Sequence, residues 1–247
     1  MLYTSCSFGS DDRFETLVLH TQELALPHLD LRLKTVAKQI QANCHVDIGS
    51  DHGNLLVSLL KSGRIQAGIA IENKRQPFEN SRCALIGLAG EARFADGLNG
   101  LVEGEADSLS ICGMGGGSID AILREHPERI PPKVVLQPNR DEQLVRRWAI
   151  DSGYHLVDEH IVWGHWPYAV MAFQSASGND PVYHDGDQEA ALMFGPINLK
   201  RSTPRFIRRL NEERQYLLNL DGLSDASRYR LELIQKVLHR KQDGINY

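Results

Sequence analysis

Between residues 44 and 152, short apolar runs recur at near-even intervals, and each is followed by a stretch with helical spacing. The runs are 44–48 (CHVDI), 66–71 (QAGIAI), 92–95 (ARFA), 108–112 (SLSIC) and 133–136 (KVVL). The helical stretches are 54–62, 74–88, 117–125 and 141–152. Strands that alternate with helices pair in parallel, because each crossover returns the chain to the same end of the sheet. The pattern therefore predicts an α/β fold, with a parallel sheet covered by helices on both faces. Two more strand-like runs, YHLVDEHIVW and PYAVMAFQ, flank Gly164 to Trp166 and predict a closing antiparallel hairpin. That makes seven strands in a doubly wound, mostly parallel sheet. Upstream, Leu31, Leu33, Val36, Ala37 and Ile40 lie close to helical spacing.

After residue 175 the pattern changes. SASGNDPVYHDGD (175–187) is rich in Ser, Gly, Asp and Pro and reads as a linker. Beyond it, Leu210, Leu217 and Leu220, then Leu231, Ile234, Val237 and Leu238, form two apolar stripes on either side of an Asp221-Gly222 turn. They predict an antiparallel helical hairpin, or short coiled coil. The expected division is an extension over 1–27, a ligand-binding domain over 28–175, and a linker with a basic helical domain over 176–247.

With 42% hydrophobic and 24% charged residues, the chain can build a sizeable core. Its net charge of −5 announces no nucleic acid, but the charge is uneven. Residues 196–247 hold 11 Lys and Arg against 6 Asp and Glu, so they carry +5 and residues 1–195 carry −10. A cationic helical arm on an acidic domain is what a phosphate-backbone clamp looks like. Lys200, Arg201, Arg205, Arg208 and Arg209 are its densest part, and Arg32, Arg140, Arg146 and Arg147 are candidates to extend it. The four cysteines, Cys6, Cys44, Cys83 and Cys112, form no CxxC pair and no metal-spaced cluster. Cys44 and Cys112 sit in apolar runs and read as buried reduced thiols, which fits a cytoplasmic protein without metal. Asp11, Asp12 and Glu15 interrupt the N-terminus, so no signal peptide is expected, and no apolar run is long enough for a membrane span.

In open α/β sheets, ligands bind beyond the carboxyl ends of the strands. There the first strand runs into DIGSDHG (47–53). Gly49 permits a sharp turn, and Gly53 lets the next helix begin close by. The dinucleotide pattern GxGxxG is absent, which disfavours a dehydrogenase; the stretch resembles instead the acidic first motif of class I S-adenosylmethionine (SAM) methyltransferases. Glu72 and Asp96-Gly97 end the second and third runs, so three successive strands end in acid.

RLKTVA (32–37), DIGSDH (47–52), ADGL (95–98), CGMGG (112–116) and LQPN (136–139) together resemble the bacterial tRNA (adenine-22, N1)-methyltransferase family, the TrmK type. NKRQPFENS, GYHLVDEHIV and FGP extend the likeness over roughly residues 30–220. The resemblance implies a Rossmann-like fold, SAM as methyl donor and N1 of a tRNA adenine as acceptor. It implies that Asp47, Gly49, Ser50 and Asp51 hold the methionine part, and that Glu72 and Asn73 take the ribose and flank the adenine. Asp96 and Gly97 would bind the adenine edge, and Gly113 and Met114 would sit beside the transferring methyl. Adenine N1 methylation also calls for a polar partner at the exocyclic amine. Asp51, His52 and Asn139 are the candidates, with Gln137 and Asn139 reading the Watson–Crick edge. Trp163, Trp166, Tyr168 and Phe78 are candidates for stacking on an extruded base. Asn54 and Ala169 stand where the family usually has Tyr and Glu. A SAM enzyme with another RNA, protein or small-molecule acceptor, and a non-catalytic SAM-fold RNA-binding protein, are the alternatives. A monomer or weak dimer is expected.

Overall fold

The structure, a computed structural model, describes residues 29–164, 166–184 and 186–242. The expected extension over 1–27, with Cys6 and the acidic residues that interrupt it, lies outside the described residues, as does His165.

Helix α1 (Leu31–Gln39) precedes five strands, all but the third followed by an α-helix: β1 (Cys44–Ile48), α2 (Asn54–Lys61), β2 (Ala67–Glu72), α3 (Arg75–Ala84), β3 (Gly90–Phe94), β4 (Ser108–Met114), α4 (Gly116–Glu125), β5 (Lys133–Pro138) and α5 (Glu142–Asp151). The hairpin β6 (Tyr154–Trp163) and β7 (Pro167–Ser175) follows. Four α-helices follow among the described residues: α6 (Gln188–Phe194), α7 (Pro196–Arg201), α8 (Pro204–Leu218) and α9 (Asp225–Gln242). The sheet order is β3-β2-β1-β4-β5-β7-β6, with β1 to β5 parallel and β7 antiparallel to both β5 and β6. The strand order reverses between β1 and β4. That is the switch point, where an open sheet forms a crevice at its carboxyl edge.

The two-residue period of the strands divides the core. Val134, Leu136, Met171 and Phe173 pack on one face with Trp148, while Val135, Val170 and Ala172 pack on the other with Leu55 and Leu59. A third cluster joins Phe194, Leu199, Phe206, Leu210 and Leu217 to Leu231, Ile234, Val237 and Leu238, with Ile161 and Trp163 of β6 packed against it. The expected helical hairpin is therefore present as α8 and α9, and it rests on the sheet's last strand.

Several expectations need correction. Residues 175–187 are no bare linker: Asp180 is buried, and its carboxylate accepts from Leu156 N at 2.7 Å and Val182 N at 3.1 Å. The short helices α6 and α7, separated by Gly195 at φ +90, were not anticipated. Leu220 lies beyond the end of α8 and is exposed, because the helix stops at Leu218. Helix α3 stops at Ala84 rather than 88, short of Gly87 at φ +77. Cys44 and Cys112 are half-buried, and with Cys83 they are free thiols. Arg146 joins no basic surface. It is 2% exposed and paired with fully buried Glu159 at 2.5 Å, and its Nη1 donates to Leu192 O at 2.6 Å. No described helix is long and apolar enough to cross a membrane.

Candidate active site

The site begins inside the sheet. Parallel register sets His45 opposite Ser108 and Asp47 opposite Ser110. His45 Nδ1 lies 2.6 Å from Ser108 Oγ and Nε2 lies 2.9 Å from Ser110 Oγ, while Ser110 Oγ donates to Asp47 Oδ1 at 2.5 Å. Ser110 has one proton and gives it to Asp47, so His45 Nε2–H must donate to Ser110 and Nδ1 must accept from Ser108. Burial pushes the His45 pKa down to about 3 and keeps the ring neutral. Burial also pushes the Asp47 carboxyl up to about 6, against the opposing pull of Ser110, Ser50 and Arg32. His45, Ser108 and Ser110 were missed by the sequence reading. The available signal was serine at alternate positions of an otherwise apolar, two-face-buried strand.

Past Ile48 the chain makes a tight turn with Gly49 at φ +72, Asp51 at +58 and Gly53 at +68. A Cβ on Gly49 would lie 2.4 Å from Met114 Cε, so glycine is what lets this turn approach the end of β4. Ser50 Oγ is buried near Asp47 without a partner in hydrogen-bonding geometry. Asp51 N donates to Glu72, whose carboxyl burial pushes up. Asp51 and His52 are exposed and lie 3.5 Å apart.

Gly113, at φ +80, is fixed from the β5 side. Its N–H donates to Gln137 Oε1 at 3.1 Å, and its carbonyl accepts from Asn139 Nδ2 at 2.6 Å. Gln137 is fully buried, and its Oε1 also accepts from Arg32 Nη1. Its amide donates to Pro138 O at 2.9 Å and Asn139 Oδ1 at 3.2 Å. Gln137 is thus committed to holding the β4 loop and is not available to read a base. Asn139 is exposed and keeps acceptor capacity.

These groups line a cavity of about 680 Å³. Asp47, Gly49, Ser50, Asp51, His52, Gly113, Met114 and Asn139 all contribute; α1 adds Arg32, and the hairpin tip adds Trp163, Gly164 and Tyr168. Arg32 was expected on an RNA-binding surface. The structure sets it in this wall, with its guanidinium 5.9 Å from the Tyr168 ring centre. Glu72, Asn73, Asp96 and Gly97 are not among the lining residues. They form an adjoining cluster in which Asn73 Nδ2 donates to Asp96 Oδ1 at 2.7 Å. Phe78 packs edge-on against Phe94 at 5.6 Å and lines no part of the cavity. Among the described residues no group of three or more His, Cys, Asp or Glu could hold a metal ion.

The basic residues divide. Arg201 is bound to the hairpin, donating to Asp158 Oδ1 at 2.8 Å and to Glu159 O. Lys200 is exposed at the end of α7. Arg205, Arg208 and Arg209 line a separate cleft beside the hairpin tip.

A sequence model described as tRNA (adenine(22)-N(1))-methyltransferase, TrmK, matches residues 45–242. The tRNA (adenine(22)-N(1))-methyltransferase of Bacillus subtilis is 30% identical over 207 residues, covering 81% of this chain and 87% of that protein. The crystal structure of the B. subtilis M1A22 tRNA methyltransferase TrmK is 27% identical with a TM-score of 0.77, over 87% of this chain and 100% of the other. Streptococcus pneumoniae Sp1610, solved in complex with S-adenosyl-L-methionine, is 27% identical with a TM-score of 0.75, over 86% of this chain and 100% of that one. With most of its length matched by the family's model, the chain belongs to the tRNA (adenine(22)-N(1))-methyltransferase family.

Proposed function

We propose that this chain transfers a methyl group from SAM to N1 of the adenine at the family's position, 22, in tRNA, and that the cavity at the β1–β4 switch point is where donor and acceptor meet. The observation that carries the reading is the polar cavity bounded by the β1 turn and the Gly113 loop, with the acidic strand ends Glu72 and Asp96 beside it.

The donor set fits SAM. SAM is a sulfonium with an ammonium, a carboxylate and an adenosine, so it needs anionic and hydrogen-bonding partners in sequence. Asp47 and the unsatisfied Ser50 hydroxyl, with Gly49 and Asp51, suit the amino-acid end. Glu72 and Asn73 suit the ribose, and Asp96 and Gly97 the adenine. When bound, SAM supplies an activated methyl to an in-line nucleophile.

The protein's own part is placement. The hydrogen bonds from Gly113 N–H to Gln137 and from Asn139 to Gly113 O hold Gly113 at positive φ, so the β4 loop keeps one shape against the cavity. Adenine N1 becomes part of a cationic ring on methylation, until a proton leaves the exocyclic amine. Asn139 Oδ1 accepts from that amine in this reading, and the exposed Asp51–His52 pair takes the proton. A base in a folded tRNA must be extruded to reach N1, at a cost of a few kcal/mol. Tyr168 and Trp163 in the cavity wall offer faces to stack it. Lys200, Arg205, Arg208 and Arg209 serve the phosphate backbone.

The test uses purified protein, methyl-labelled SAM and tRNA transcripts free of modifications, followed by nucleoside mass spectrometry. The expected product is 1-methyladenosine, lost in Asp47→Ala. Intact SAM binding by calorimetry with no methylated nucleoside would overturn the acceptor assignment.

A further inference from the structure

The tip of the β6–β7 hairpin and one face of α8 enclose a second cleft, of about 410 Å³. Its walls are Trp163 and Trp166 from the tip and Arg205, Arg208, Arg209 and Glu212 from α8. The four α8 residues sit at i, i+3, i+4 and i+7, so they share one helical face, while Phe206 and Leu210 bury the opposite face in the C-terminal core. Three guanidiniums against one carboxylate make the cleft cationic. The Arg205 guanidinium lies 4.6 Å from the centre of the Trp163 ring, so charge and aromatic surface are interleaved. Trp166 is 61% exposed, an unusual position for so large an apolar side chain. Trp163 and Gly164 also line the 680 Å³ cavity, so the two spaces share a wall.

We infer that this cleft is a nucleotide subsite for single-stranded RNA beside the target adenine, with one base stacked on Trp166 and its phosphate held by Arg205, Arg208 and Arg209. The inference rests on the proposed tRNA substrate and assigns the hairpin tip a role in it. Aromatic faces combined with a cationic groove bind extruded nucleotides with little sequence preference.

The experiment measures binding of fluorescent, unmodified tRNA to the full-length protein by anisotropy across a salt series. Trp166→Ala is expected to weaken binding about 5- to 150-fold, the range for one lost base stack, and Trp166→Phe to hold within about threefold. Arg208→Ala is expected to lower the slope of log affinity against log salt by about one. Calorimetric SAM affinity and melting temperature serve as folding controls in every variant. Trp166→Ala within about twofold of wild type, or equal losses for Ala and Phe, overturns the subsite. Nucleoside mass spectrometry on the same wild-type sample separates the two claims. 1-Methyladenosine with an inert Trp166 leaves the proposed function standing and removes the subsite. Absence of the product removes the proposed function, whatever the anisotropy shows.

Discussion

Arg146→Met should destabilise the protein severely, though it touches neither cavity chemistry nor a charged surface. Arg146 on α5 and Glu159 on β6 are 2% and 0% exposed. The guanidinium makes two contacts to Glu159 Oε1, at 2.9 and 2.5 Å, and a third to Leu192 O in α6. Glu159 Oε2 in turn faces the Asn198 amide of α7 at 3.4 Å. The pair therefore joins the sheet domain to the first two C-terminal helices. Its net worth against a well-packed apolar pair is small, because both charges are desolvated. Removing one partner is different: it strands a buried charge, and the expected loss is about 3–5 kcal/mol. That is a large share of a total stability on the order of 5–15 kcal/mol. Glu159→Gln introduced into Arg146→Met removes the stranded charge and should recover part of the loss, so the double variant should be more stable than the single. The assay is urea unfolding of all four proteins in a double-mutant cycle, followed by tryptophan fluorescence and far-UV circular dichroism. A loss under about 1 kcal/mol in Arg146→Met, or no recovery in the double variant, refutes the argument.

SAM binding should depend on Asp47. Its carboxyl is raised to about 6, and a cationic ligand needs the ionised form, so calorimetric affinity should be flat at neutral pH and fall as pH drops below about 6. The sign for the ligand-free protein is opposite: a raised carboxyl contributes stability that is full below its unfolded value and is lost as pH rises through about 6. Ser110→Ala removes a hydrogen bond that favours the charged carboxylate, so it should move the affinity midpoint upward; an unmoved midpoint refutes the assignment of that titration to Asp47. Gly49→Ala should cost about 1–2 kcal/mol for its positive φ and push Met114 aside, and titration should show SAM binding weakened more than tenfold. Gln137→Met leaves Gly113 N–H and the Arg32 guanidinium without their acceptor, so turnover should fall while the cofactor dissociation constant moves less.

The strands were legible because apolar runs with short connections leave few pairings. The hairpin strand 154–163 appears with the bounds read from the sequence, since three residues between two long runs admit little else. The acidic strand ends and both glycines of the first turn were legible for the same reason: they punctuate a regular pattern. What stayed hidden depends on partners distant in sequence. Gln137 looked like a free amide because Arg32, its partner, is 105 residues away. Arg146 looked like a surface cation because Glu159 carries no local mark of being its counter-charge. Residues 175–187 have linker composition, yet one Asp180 carboxylate satisfies two backbone amides and lets the segment dock. Helices α6 and α7 have 7 and 6 residues, too short to show a period.

Trp163 and Gly164 line both the proposed SAM cavity and the cationic cleft, so a ligand that shifts this wall on one side changes the boundary of the other. Where the wall moves, the two affinities are linked and the linkage is reciprocal: whatever factor RNA applies to SAM affinity, SAM applies to RNA affinity. A hairpin tip that shifts in this way would give the protein a thermodynamic means of favouring the ternary complex, or of discharging the spent cofactor together with the methylated product. Measuring SAM and S-adenosylhomocysteine affinities with and without bound tRNA gives the sign of that coupling, and identical values in both states would show that the shared wall is rigid.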